Sequence, residues 1–259
     1  ILVNIMKKYL LFVSIFTLST IFCKAEDTKL LYKRPAKEWV EALPLGNSRL
    51  GAMVFGNPAR EQLQLNEETM WGGGPHRNDS PNMLKVLDEV RSLIFAGKEK
   101  EAEALLEKNM RTPHNGMPYQ TIGSLYLDFA GHNKYSNYSR QLDLATAVAT
   151  TKYTVDDINY TREVFSSFTD NVIIMRITAD KPNSISFTAG YDSPVKDYKV
   201  QAKGDKLILK GMGAEHEGIK GVIRFENQTQ IKAEGGSVKV GGNKLSVKAA
   251  NSVIIYISI

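Results

Sequence analysis

The chain has 259 residues, 42% of them hydrophobic and 24% charged, the proportions of an ordinary globular protein with chain enough for one large domain or two small ones. Its formal net charge of +5 comes without a clustered Lys/Arg stripe, so composition gives no support to a nucleic-acid partner. The single cysteine, Cys23, excludes an intramolecular disulfide and any cysteine-based zinc cluster.

The N-terminus reads as a leader. Residues 1–5 precede the first methionine, Met6, and resemble translated sequence upstream of the start. Lys7 and Lys8 then form a positive region, Tyr9 to Phe22 an uncharged apolar run of 14 residues, and Cys23-Lys24-Ala25 a small-residue cleavage site before Glu26. This pattern predicts a secretory signal peptide cleaved after Ala25, and an exported protein, periplasmic or extracellular. The apolar run falls short of the roughly 20 residues that span a bilayer, so no stable membrane span is expected. Bulky Phe22 argues against a lipid anchor on Cys23. Removal of residues 1–25 takes away three lysines, no acid and the only thiol, and lowers the net charge from +5 to +2. The predicted division is therefore residues 1–25 as leader and 26–259 as one domain.

Arg49 to Phe55 and Glu61 to Leu65 are short apolar or alternating runs joined by Gly56-Asn57-Pro58, which predicts a β-hairpin. Ser80-Pro81 reads as an N-cap followed by proline at the first helical position. Leu84, Leu87, Val90, Leu93 and Ile94 then recur at helical spacing, with Gly97 as terminator. Lys98 to Asn109 is a second helix whose charged remainder is a solvated face. From Tyr119 onward the pattern is β: Ser124–Phe129, Leu142–Tyr153, Tyr160–Ser166, Val172–Thr178 and Ser184–Thr188. Further runs are Lys206–Leu209, Gly221–Phe225, Gln228–Ala233, Ser237–Val240, Lys244–Val247 and Ser252–Ile259. Turn signals such as Asp156-Asp157 and Glu226-Asn227 separate them. So many short strands predict a mainly β protein of stacked antiparallel sheets, with a short two-helix insertion at about residues 81–109. The last run, NSVIIYISI, is apolar with no polar tail, and as an exposed edge it would aggregate. A following domain or a truncated frame is the expectation from it.

One stretch, LNEETMWGGGP at residues 65–75, combines two carboxylates, a tryptophan and three glycines. Glycosidases commonly place two carboxylates about 5 to 10 Å apart across the scissile bond. Neighbours on a strand point to opposite faces, so Glu67 and Glu68 are not expected to converge. Trp71, before a glycine run that lets backbone approach closely, is either a sugar-stacking ring or a core tryptophan beside a turn. The glycines match neither phosphate-loop spacing, the four histidines show no metal-ligand spacing, and there is no nucleophile-elbow motif. The sequence thus predicts no metal site.

The order of motifs is more specific than any one of them. WVEALPLGNSRLGAMVFG at residues 39–56 comes first, then LNEETMWGGGP, then YQTIGSL at 119–125, YSRQLDL at 138–144 and YTREVFSS at 160–167. Together they resemble the N-terminal domain of glycoside hydrolase family 95, the α-L-fucosidases with some α-L-galactosidases. The likeness runs from about Leu30 to Ile259. It implies an antiparallel β-supersandwich that packs on an (α/α)6-barrel catalytic domain. It also implies inverting hydrolysis of terminal α-1,2-fucosyl linkages in fucosylated oligosaccharides or glycans, without metal or other cofactor. The family's catalytic residues belong to the barrel, so the likeness assigns no catalytic residue here and implies that this chain alone is inactive. It implies a place at the barrel interface or substrate pocket for Asn66, Glu67, Trp71 and Gln120. Ser48 stands where the family pattern has glycine, and Ser124 where it has aspartate. A free-standing carbohydrate-binding module and an α-L-galactosidase fragment are the alternatives.

Overall fold

A computed structural model describes residues 28–110 and 112–259. The predicted signal peptide lies outside these residues. In chain order the first strands are β1 (Lys29–Tyr32), β2 (Leu43–Gly46), β3 (Leu50–Val54) and β4 (Arg60–Glu67). Two helices follow, α1 (Met83–Phe95) and α2 (Glu99–Asn109). Then come β5 (Gly123–Asp128), β6 (Ser136–Asp143), β7 (Val148–Val155), β8 (Ile158–Ser167), β9 (Val172–Ala179) and β10 (Ile185–Asp192). The chain continues with β11 (Tyr198–Lys203), β12 (Lys206–Met212), β13 (Arg224–Glu234), β14 (Ser237–Gly241), β15 (Lys244–Ala250) and β16 (Ser252–Ser258).

The strands form two antiparallel sheets. One has nine strands in the order β1-β6-β7-β8-β9-β16-β13-β12-β11, the other seven in the order β14-β15-β10-β5-β4-β3-β2. Alternation decides which side chains meet between them. On β4, Glu61, Leu63, Leu65 and Glu67 are buried, while Gln62, Gln64 and Asn66 take the outer face. Leu125, Leu127 and Phe187 extend the inner surface of the seven-stranded sheet, and Ile173, Met175, Ile177, Val253, Ile255 and Ile257 face it from the other. The predicted sandwich is the fold.

Several local expectations change. Leu142–Tyr153 is not one strand: residues 144–147 form a turn between β6 and β7, with Ala147 at positive φ and Asp143 Oδ1 accepting from the amides of Ala145 and Thr146. Gly221–Phe225 and Gln228–Ala233 are not two strands: β13 starts at Arg224 and runs through Glu226-Asn227, where Asn227 is buried and bonded rather than turning. The apolar β16 is no edge; it pairs with β9 on one side and β13 on the other, which accounts for its composition. β1, β2 and β11 had no separate signal in the sequence.

The two helices form as predicted, with a different start. Asn82, not Ser80, precedes α1, and it makes no side-chain cap. Ser80 Oγ donates instead to Asn109 O, 2.6 Å away, tying the start of one helix to the end of the other. Gly97 does terminate α1: at φ +71° it lets its own amide reach Ile94 O and that of Lys98 reach Leu93 O, the paired closure of a Schellman turn. Only Val90 of the periodic apolar set is buried, and Leu84, Ile94 and Phe95 are exposed. Among the described residues no helix is long and apolar enough to cross a membrane.

Candidate functional site

The LNEETMWGGGP stretch leaves the end of β4 and turns at one corner of the sandwich. Glu67, the last residue of β4, keeps the inward direction of Leu63 and Leu65 and is buried. Its Oε2 accepts from the backbone amide (2.8 Å) and hydroxyl (2.6 Å) of Thr69, which bends the chain. Glu68 lies beyond the strand, exposed, its amide on Arg49 O. The two carboxylates therefore do not converge, as strand geometry predicts. Arg49 Nε stands 3.2 Å from Glu67 Oε1, and this oxygen is buried without an aligned hydrogen bond.

Trp71 is not a core tryptophan. It is 45% exposed, as is Tyr119, and the two rings meet edge to face at 5.4 Å between centroids. Both are held by the carbonyls just before the turn: Tyr119 Oη donates to Glu67 O (3.0 Å) and Trp71 Nε1 to Glu68 O (3.1 Å). Partial burial, followed by the charges of Glu67 and Glu68, raises the Tyr119 phenol above its usual value, so it acts here as a neutral donor.

The glycines make three segments cross. Gly72 N donates to Pro118 O, Gly73 N to Ala214 O, and Val222 N to Gly73 O. Gly73 sits at φ +62°, where a side chain would be strained, and a Cβ there would meet Met117 Sδ, so glycine eases this crossing. Gln120 completes it: its amide bonds Met70 O, and its Oε1 accepts from Ala214 N at 3.0 Å.

Of the four residues singled out from sequence, Glu67, Trp71 and Gln120 thus gather at one corner. Asn66 pairs with Gly51 and faces the outer side of the sheet, away from Glu67. Sequence reading missed Arg49, Tyr119, Arg224 and Phe225. The first two lie inside the quoted motifs; the last two arrive through pairing of β13 and carry no local signal.

Two clefts open here. A small one, about 150 Å³, is lined by Arg49, Glu67, Met70, Ile122, Arg224 and Phe225, among others. A wider one, about 540 Å³, lies along residues 195–197, 212–215 and 220–221, with Lys196, Asp197, Glu215 and Lys220 among its lining. Three of the four scattered histidines also meet nearby. His76 and His114 are edge to face at 5.4 Å, and Glu217 stands 3.7 Å from His114 and 3.9 Å from His216. Glu217 also accepts from Asn115, whose backbone amide is the main cause holding its carboxyl below the usual range. Among the described residues no group of three or more His, Cys, Asp or Glu is placed to hold a metal ion.

Comparison with known proteins bears on what the corner serves. The family described as glycosyl hydrolase family 65, N-terminal domain, matches residues 30–259. The chain is 33% identical over 253 residues to alpha-L-fucosidase 2 of Arabidopsis thaliana, covering 89% of this chain and 30% of that protein. It is 30% identical over 240 residues to a protein of Aspergillus oryzae named probable alpha-fucosidase A, covering 88% of this chain and 32% of that one. The chain thus spans about a third of the length of these relatives.

Proposed function

Because the chain belongs to the family of glycosyl hydrolase family 65 N-terminal domains, we propose that it is the N-terminal β-sandwich domain of an α-L-fucosidase. In this reading residues 26–259 pack on an (α/α)6 catalytic barrel and help shape its active site. The complete enzyme removes terminal α-1,2-linked fucose from oligosaccharides or glycans with inversion. Export, to periplasm or exterior, rests on the sequence of residues 6–25 alone.

The observation that carries this reading is the corner itself. An exposed, edge-packed Trp71–Tyr119 pair stands beside a buried carboxylate on loops locked by glycine crossings. An aromatic ledge with polar groups at its foot suits a sugar ring, which has an apolar face and a polar rim. Glu226 also lines the cleft beside Glu67, but it is engaged by Lys210 at 2.6 Å and by Gln228 at 2.8 Å, an arrangement that does not suit it to act with Glu67 as an acid–base pair. Its role is to position and contact, with the proton transfers made elsewhere.

The test is fucose release from 2′-fucosyllactose. A protein extended in frame beyond Ile259 by a helical domain is expected to release fucose, and the chain alone to show no release above buffer. Release by the chain alone would overturn the proposal. The exposed ledge also favours a second reading, a carbohydrate-binding module that acts unaided. Calorimetric titration of the chain with fucosylated glycans separates the two, since absence of heat at millimolar ligand removes the module.

A further inference from the structure

We propose that the free side of helix α1 is the surface on which the catalytic domain of the complete protein docks; this rests on the fucosidase reading above. Leu84, Leu87, Arg91, Ile94 and Phe95 recur at helical spacing along that side. Leu84 is 83% exposed, Phe95 89% and Ile94 50%. The neighbouring side of α1 is already used. Val90 is buried there where α1 packs on α2, with Val86 and Leu93 half-buried beside it and Ala102 as the buried residue of α2. Among the described residues α1 thus has two apolar sides and one helical partner. A row of large apolar side chains around an arginine has the composition of a protein interface rather than of a solvated helix face. The hairpin is also fixed at its base by polar bonds. Asn78 Nδ2 donates to His114 O (2.7 Å), and the His114 amide donates back to Asn78 Oδ1 (2.9 Å). Beside them the amide and Nδ2 of Asn115 donate to the two carboxylate oxygens of Glu217, at 2.8 and 2.7 Å. A hairpin held this way keeps its apolar row in one orientation, and the row leaves water only by meeting another body.

Two observations point to the occupant. The chain matches 30% and 32% of the length of the two relatives, so most of each relative lies outside the match. Within the fold, Ile259 lines the same small cleft as Glu67, Thr69 and Met70, and the loop that holds Thr69 and Met70 runs on through the glycine crossing into the hairpin. In the extended protein, chain that continues past Ile259 therefore starts at the corner from which the hairpin projects. A domain attached there meets the free side of α1 without a long linker.

Hydroxyl-radical footprinting read by mass spectrometry, on the chain and on the extended protein, tests this. In the extended protein Leu84 and Phe95 are expected to be oxidised about tenfold more slowly than in the chain alone, the change from an open side chain to one in a packed interface. Trp39, 54% exposed ahead of β2, is the reference for radical dose. Phe95→Asp, an exposed change, is expected to leave the melting temperature of the chain unchanged. In the extended protein it is expected to return Leu84 to the rate seen in the chain alone. Equal rates for Leu84 and Phe95 in the two proteins overturn the proposal. So does sedimentation of the chain alone as a dimer that Phe95→Asp dissociates, since the row then belongs to a second copy. Fucose release by the extended protein is measured in parallel. Release with Leu84 and Phe95 open rejects the docking surface alone, and their protection without release rejects the fucosidase reading alone.

Discussion

Arg162 and Glu61 face each other across the interior of the sandwich, Nη1 to Oε2 at 3.1 Å, their side chains 1% and 0% exposed. Arg162 lies on β8 of one sheet and Glu61 on β4 of the other. Arg162 also donates to the carbonyls of Asn57 and Pro58 and to the Tyr153 hydroxyl, while Glu61 Oε1 accepts from Gly56 N. The hairpin turn whose second strand ends at Glu67 is thereby clamped to the opposite sheet. Arg162→Met leaves Glu61 a buried charge without its counter-ion, and a loss of about 3–5 kcal/mol is expected. Replacing both, Arg162→Met with Glu61→Leu, is expected to cost clearly less. Urea melts of the three proteins check this, and a double variant no better than the single one would contradict it.

His132 gives the same cluster a pH dependence. Arg162 Nη2 donates to the Tyr153 hydroxyl, which lies 3.1 Å from His132 Nδ1. Burial, with the Arg162 charge adding to it, lowers the His132 pKa from the usual 6.5 to about 4. The folded state therefore binds fewer protons than the unfolded one between these values, and stability falls as pH drops from 6.5 towards 4. The contribution is bounded at about 3 kcal/mol, from about 1.4 kcal/mol per unit. His132→Gln is expected to flatten this part of a stability–pH curve; an unchanged slope would show that other groups set it.

Ser48 occupies the turn between β2 and β3 at φ +75°. A residue with a Cβ is strained there. The turn persists because Asn47 Oδ1 accepts from the amides of Arg49 and Leu50, while Asn47 Nδ2 donates to Ser167 O and Asn171 Oδ1. Ser48→Gly is expected to add about 1 kcal/mol, less the extra chain entropy of glycine, and to raise the melting temperature by roughly 2–4 °C. A lower melting temperature would mean that the strain is absent in solution.

What was legible in the sequence is what depends on local pattern. The β3–β4 hairpin, the αL terminator at Gly97 and the divergence of Glu67 from Glu68 all follow from spacing within a few residues. So does the Asp156-Asp157 turn, where φ values of +48° and +59° make the tight hairpin that joins β7 to β8. What was not legible comes from residues far apart in the chain. Nothing near Ser252 shows that β16 inserts between β9 and β13, and nothing near Arg224 shows that it lines the same cleft as Glu67. Glu226-Asn227 carries a turn signal because Asn usually serves turns, yet here Asn227 is a core residue bonded to Tyr191.

That bond makes a sharp test. Tyr191 Oη contacts both Asn227 Oδ1, at 2.7 Å, and Thr229 Oγ1, and all three residues are buried. Burial, outweighing these bonds, pushes its phenol well above the ordinary range. Tyr191→Phe keeps the ring and leaves Asn227 and Thr229 in the core with only the long 3.4 Å bond from Thr229 Oγ1 to Asn227 Oδ1, so a loss of about 1–3 kcal/mol is expected. Adding Asn227→Leu, which removes one stranded partner, is expected to recover part of it in the same melt. Additive losses would place the three groups outside one network.

Trp71 tests the ledge in a way that separates contact from structure. Its ring is half exposed, and its ties are one hydrogen bond to Glu68 O and the edge contact with Tyr119. Trp71→Ala is therefore expected to cost only about 1 kcal/mol of stability. If the ring stacks on the sugar, kcat/KM of the extended protein on 2′-fucosyllactose falls about tenfold, chiefly through KM. Trp71→Phe keeps an aromatic face and loses the N–H, so it should restore most of that loss if the face is what matters. If Trp71→Phe is as poor as Trp71→Ala, the anchoring of the Glu68 carbonyl is the function of the residue. If neither changes KM, the ledge does not meet the substrate.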